Sequence, residues 1–243
     1  MAIKNKIVLS FFVFLLYSCS ATNVNSKIIN PPTKSFVKVF HTANVISCAE
    51  PSDPKCPIGL FRSTGSGMAI DVIPDIMTVI TAGHVCDSRP TEKINEIVQT
   101  VEVLDHKKTV HQAWPIMLTH TNNKGSSDLC LLWVPSLNVE KIKTSILKPR
   151  VGEELYYIGA PMGIYHPPTV PIIRGTFSGH IDLSSSMITA PAVGGSSGAA
   201  ILNFDNRIVG IVWGSNMSFH HVSLMTRHDV FIKFLDNARK RYE

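Results

Sequence analysis

Sustained helical periodicity is almost missing from this 243-residue sequence. Apolar positions three and four apart recur only in the last stretch, Thr226 to Tyr242. That absence argues against helical bundles and alternating strand–helix folds. Charge is sparse too, at 17% of residues, and the net +5 comes from Lys and Arg scattered along the chain. Scattered cations do not build the basic stripe that follows a phosphate backbone, so no nucleic-acid partner is expected. Beyond Tyr17 no apolar run approaches the roughly 20 residues of a spanning helix. Metal-ligand spacings are also lacking. His106 and His111 flank a predicted turn and His220-His221 are adjacent, patterns that read as exposed or structural histidines, so neither metal nor cofactor is expected.

What remains is strand-like, with 44% hydrophobic residues, enough for one globular unit or two small barrels. Ser35–Phe40 alternates, Gly65–Ile73 opens on glycines and continues β-prone, and Ile76–Thr81 is an apolar run ending in a small-residue turn. Two further strands are expected around a turn near Asp105 to Lys108, and Asp128–Val134 reads as a buried strand with an acid at its entrance. Leu155–Ile158, a strand from Thr176, and a hairpin turning at Asp205-Asn206 follow. Many short strands with turn signals predict an all-β barrel or sandwich. At the end, Val230, Phe231, Phe234, Leu235 and Ala238 share one helical face, predicting a helix packed on the strands with Thr226 near its N-cap. The basic tail Arg239-Lys240-Arg241 suits a solvated helix C-terminus.

The N-terminus has the form of an export signal: Lys4 and Lys6, then an apolar run from Ile7 to Tyr17, then small residues. Its Leu16-Tyr17-Ser18-Cys19 ending resembles a bacterial lipobox. That implies a signal peptide over 1–18, lipid on Cys19 and a membrane partner through that anchor. The expected place is the bacterial cell envelope, and the outer membrane if the host is Gram-negative. Cleavage after Ala21 with secretion is the alternative. Residues 19–34, polar and carrying Pro31-Pro32, read as a tether.

The chemistry-bearing stretch is Pro191 to Ala200, PAVGGSSGAA. Glycines let successive amides converge, and a serine beside them supplies a nucleophile with donors for an oxyanion. Taken alone the stretch is a Gly-Ser turn. His84 alone is a turn histidine, and Asp128 alone caps a loop. Together they form an ordered set, His84, Asp128, Ser197, with a histidine at a strand end and an aspartate at a strand start. Gly194–Gly198 also fits Gly-x-Ser-x-Gly, which would make Ser196 the nucleophile of an α/β-hydrolase esterase. That fold needs alternating helices upstream and places its acid and histidine after the serine, where few residues remain. A catalytically inactive envelope binding module on the same fold is the reading from another class.

These segments resemble the trypsin-like, chymotrypsin-fold serine protease superfamily, in the style of HtrA-type and glutamyl-endopeptidase-like bacterial members. Thr81–Cys86 (TAGHVC), Asp128–Leu132 (DLCLL), Gly194–Gly198 (GGSSG), Gly65–Ile70 (GSGMAI) and Ile201–Gly214 carry the likeness. Ser196 stands where the family usually has Asp or Asn, no Ile-Val-Gly-Gly start is present, and too few residues follow Leu224 for a PDZ domain. The resemblance implies two six-stranded antiparallel β-barrels, over 35–140 and 141–226, then a C-terminal helix over 227–243. It implies a serine endopeptidase acting on protein or peptide substrates. Ser197 would be the nucleophile, His84 the base and Asp128 its orienting acid, with the N–H groups of Gly195 and Ser197 as oxyanion donors.

The family's specificity pocket maps onto Ala192 and Val193 on one side and Val212, Trp213 and Gly214 on the other. Pro191, not an acid, stands six before Ser197, so Lys or Arg preference is not expected. Val212 stands where glutamyl endopeptidases place a histidine, although His220 and His221 follow nearby. Cleavage after aliphatic or small apolar residues is expected. If His84 and Asp128 meet, their neighbours Cys86 and Cys130 are placed to bridge, leaving Cys48–Cys56 as the second disulfide; four buried thiols are the alternative.

Overall fold

The alternating segments are strands. The structure is a computed structural model that describes residues 30–50, 57–87, 94–120, 127–216, 218–219 and 221–242. β1 (Phe36–Cys48), β2 (Gly59–Ile70), β3 (Thr78–Thr81), β4 (Ile94–Leu104), β5 (Val110–Thr119) and β6 (Leu129–Trp133) close one barrel in the order β1-β2-β3-β6-β5-β4. β7 (Glu154–Ile158), β8 (Ile172–His180), β9 (Ser185–Ile188), β10 (Ala200–Leu202), β11 (Ile208–Ser215) and β12 (Ser223–Thr226) close a second, ordered β10-β11-β12-β9-β8-β7. All pairings between these strands are antiparallel. Closure satisfies both edges of every sheet, which suits a chain with so little helix to cover them.

Period-two patterning fills both interiors. Val37 and Val39 of β1, Val79 of β3, Val101 and Val103 of β4, and Cys130 and Leu132 of β6 pack in the first. Leu155 and Tyr157 of β7, Phe177, Ile188, Ile201, Val209 and Val212 pack in the second. Trp213 of β11 reaches across and packs against the first cluster, so the two cores meet beside the chemistry-bearing stretch.

Two local expectations change. The small-residue turn after β3 winds into a single helical turn, α1 (Gly83–Cys86). The final helix, α2 (His228–Tyr242), buries Phe231, Phe234, Leu235 and Ala238 as the periodicity predicts. Thr226, however, is not its cap. It ends β12, and its hydroxyl accepts from the Ile211 N–H at 3.0 Å. The helix starts instead from the Arg227 carbonyl, which accepts from the Phe231 N–H at 2.9 Å. His228 ties it to the inter-barrel crossing through the Ser145 carbonyl, 3.0 Å from Nε2.

Candidate active site

β3 and β6 are antiparallel neighbours, with Thr81 opposite Cys130. The end of β3 therefore lies beside the start of β6, and α1 carries His84 to Asp128. The His84 backbone N–H donates to Asp128 Oδ1 at 2.9 Å, and its ring Nδ1 bonds Oδ2. A carboxylate only accepts, so Nδ1 carries the proton and Nε2 is left as the basic nitrogen. Asp128 is buried, 5% exposed in its side chain, while His84 is 48% exposed. The acid is thus shielded while the imidazole stands open to solvent. Cys86 and Cys130, each two residues further on, form a disulfide with Cα atoms 6.4 Å apart, as expected. Cys48 is also disulfide-bonded. Cys56 and Cys19 lie outside the described residues.

Across the junction, the loop before β10 is defined by where its carbonyls go. Gly194 O accepts from the Met162 N–H at 2.7 Å, and Gly195 O from the Ser66 hydroxyl at 2.8 Å. Ser196 O accepts from the Ala199 N–H at 3.0 Å, and Ser197 O from the Ser66 N–H at 2.8 Å. Each trans peptide points its N–H opposite to its carbonyl. Two of those N–H groups are used, Ser196 to Val193 O at 2.9 Å and Gly198 to Val212 O at 2.7 Å. The Gly195 and Ser197 N–H groups have no acceptor among the described residues.

Glycine is required twice here. Gly195 has φ +89°, and a Cβ on it would lie 2.4 Å from Ala160 O. Gly198 has φ +86°, and a Cβ there would lie 2.1 Å from both Ser66 O and Thr81 Oγ1 and 3.0 Å from Ala82 N. That contact brings the residue after Ser197 against the segment that leads into His84.

The adjacent serines part company. Ser196 is 1% exposed, and its Oγ accepts from the Val193 N–H at 3.3 Å and bonds the Tyr157 hydroxyl. Ser197 is half-buried at the junction. Burial raises the Tyr157 phenol above its ordinary range, with the Ser196 bond opposing, so Tyr157 stays neutral. An inward-turned Ser196 and a β-barrel fold both weigh against the esterase.

The trypsin-like peptidase domain model matches residues 65–211, more than half of the chain. The chain belongs to the trypsin-like peptidase family. Among solved structures, the active form of the Rv3671c protease from M. tuberculosis is similar at 18% identity and TM-score 0.62, covering 84% of this chain and 81% of that one. A serine endoprotease from Yersinia pestis is similar at 18% identity and TM-score 0.59, covering 86% and 65%. Among curated proteins no sequence matches.

In this trypsin-like peptidase the expected pocket residues fall as follows. Ala192 and Val212 are buried, and Val193, Trp213 and Gly214 are half-buried. Two carbonyls of the pocket segment are tied inward, Pro191 O by the Tyr157 hydroxyl and Ala190 O by the Ser223 hydroxyl. His221 stacks edge-on against Phe219, centroids 5.5 Å apart, and His220 lies outside the described residues. His111 is structural. Its Nε2 lies 3.2 Å from Asp105 Oδ2 and its Nδ1 2.9 Å from Ser136 Oγ. Among the described residues no group of three or more His, Cys, Asp or Glu is placed to hold a metal ion. Sequence reasoning did not single out Ser66, which lies in the Gly65–Ile70 segment.

Proposed function

We propose that this chain is a serine endopeptidase in which Ser197, His84 and Asp128 act as a triad. The observation that carries the reading is the alternation in the loop from Gly194 to Ser197. Its four carbonyls are all tied down, leaving the Gly195 and Ser197 N–H groups as donors beside a half-exposed serine. In the reaction, Ser197 Oγ attacks the peptide carbonyl while His84 Nε2 takes its proton. Asp128 holds Nδ1–H and stabilises the imidazolium. The oxyanion is received by the two free N–H groups, each worth roughly 3–4 kcal/mol in comparable sites. His84 then gives the proton to the leaving amine, and water, activated by the same nitrogen, hydrolyses the acyl-enzyme. His84 and Ser197 are not hydrogen-bonded to each other in this structure. Such bonds often tighten only when substrate excludes water.

Substrates are proteins or peptides, cut after aliphatic or small apolar residues. Pro191, Ala192 and Val212 support this, since they provide no charge to pair with a buried Lys, Arg or Glu. The mature protein is proposed to sit on the envelope membrane through lipid on Cys19.

Labelling by a fluorophosphonate, with peptide-library cleavage by the purified domain, tests the reading. Wild type should label and cut, and Ser197→Ala should do neither. Labelling of Ser197→Ala would overturn the nucleophile assignment, and cleavage chiefly after Lys, Arg or Glu would overturn the pocket.

A further inference from the structure

Ser66 belongs to β2 of the first barrel, yet it makes two hydrogen bonds to the loop of the second. It is fully buried. Its N–H donates to Ser197 O at 2.8 Å, and its own carbonyl accepts from Thr81 Oγ1 at 2.7 Å. Its hydroxyl donates to Gly195 O at 2.8 Å and accepts from the Ala160 N–H at 2.9 Å. A hydroxyl has one proton to give, and it is committed here to Gly195. Ala160 leads through Pro161 to Met162, whose N–H holds Gly194 O. Ser66 therefore governs three of the four carbonyl ties, two directly and one through Ala160.

We propose that Ser66 is a positioning residue whose hydroxyl holds the Gly195 and Ser197 amides in the orientation that receives the oxyanion, registering the second barrel's donors against His84 and Asp128 on the first. This rests on the peptidase reading above. Without the hydroxyl, Gly195 O and Ala160 N–H lose their buried partner together. Among the described residues the Gly195–Ser196 peptide then keeps only the Ser196 N–H bond to Val193, at a glycine whose backbone tolerates other dihedrals. The donors would no longer be held ready, while the His84–Asp128 pair stays intact. Because the oxyanion exists only in the transition state, the loss falls on kcat rather than KM.

The test compares wild type with Ser66→Ala, Ser66→Cys and Ser66→Thr. For Ser66→Ala and Ser66→Cys, kcat should fall on the order of 10- to 100-fold with KM within about threefold. Affinity for a peptide aldehyde, which forms a tetrahedral adduct on the serine, should fall in parallel with kcat. The pH profile of kcat/KM should keep its shape, and Ser66→Thr, which keeps the hydroxyl, should recover most of the rate. Wild-type kcat in folded Ser66→Ala or Ser66→Cys, or a loss confined to KM, would overturn the proposal. If Ser66→Ala does not fold, Ser66→Cys carries the comparison, since it keeps the shape and weakens the donor. Amide hydrogen exchange at Ser196 gives a readout independent of turnover. Its protection should drop by about tenfold in Ser66→Ala or Ser66→Cys, because its bond to Val193 requires the peptide that Ser66 orients. Unchanged protection would refute the clamp. A wild type that neither labels nor cleaves would sink the peptidase reading, and the exchange experiment would still judge the clamp.

Discussion

Ser196 and Ser197 have the same side chain and adjacent positions, and backbone direction alone gives them different surroundings. Ser197→Ala is expected to lower peptidase activity on the order of a millionfold, as loss of an activated nucleophile does. Ser196→Ala should keep activity within about tenfold and lose about 1 kcal/mol of stability, the usual net value of a buried hydroxyl's bonds. Steady-state kinetics with urea melts of both variants separates the two. Asp105 offers a stability test away from the cleft. Burial pushes its carboxyl up, but the Thr109 and Lys107 N–H groups and His111 together outweigh burial and hold it below its ordinary value. A carboxyl with a depressed folded-state pKa stabilises the fold above its unfolded value. That stabilisation is lost as pH falls through the folded one. Thermal melts should therefore steepen downward below about pH 4, and Asp105→Asn should flatten that limb.

Among the elements, α1 and β6 matter most for the proposed base. The Cys86–Cys130 disulfide joins the helical turn holding His84 to the strand that begins after Asp128. Replacing both cysteines by Ala should cost about 2–4 kcal/mol in urea unfolding, chiefly by freeing the unfolded chain. Gly198, between the loop and β10, is more exacting. Its φ is +86° and an added Cβ would strike Ser66 O at 2.1 Å. That contact is backbone and cannot move aside. Gly198→Ala should cost about 3 kcal/mol or more, read as a lowered melting temperature or loss of soluble protein. Most strands were legible, because period-two patterning marks a barrel wall whichever barrel it joins, but the short β9 and β12 were not named from the sequence. The helical turn after β3 was not, since four residues are too few to show a period.

For the whole molecule, the proposed chemistry needs both barrels at once: His84 and Asp128 come from the first and Ser197 from the second. The lipid anchor proposed for Cys19 makes a prediction at this scale. Membrane fractions should hold the wild type, and Cys19→Ser should release it. An unmodified mature N-terminus at Thr22 by mass spectrometry would replace anchoring with secretion.

His84, Asp128 and Ser197 could be proposed without a structure because each lies beside an apolar run read as a strand, in an order that resembles the family's. The Cys86–Cys130 pair was expected from the nearness of its neighbours His84 and Asp128, and it forms between the helical turn α1 and β6. Pairing across the chain was not readable. Ser66 reaches Ala160 and Gly195, 94 and 129 residues away. No local pattern marks a hydroxyl whose two partners are backbone groups, because every residue but proline offers the same N–H and C=O. Hydrophobic period and turn chemistry are local properties, so the sequence determined most of the strands and the order of the residues proposed as a triad. Which amides stay free depends on what the opposite barrel donates, and only the closed tertiary structure decided that.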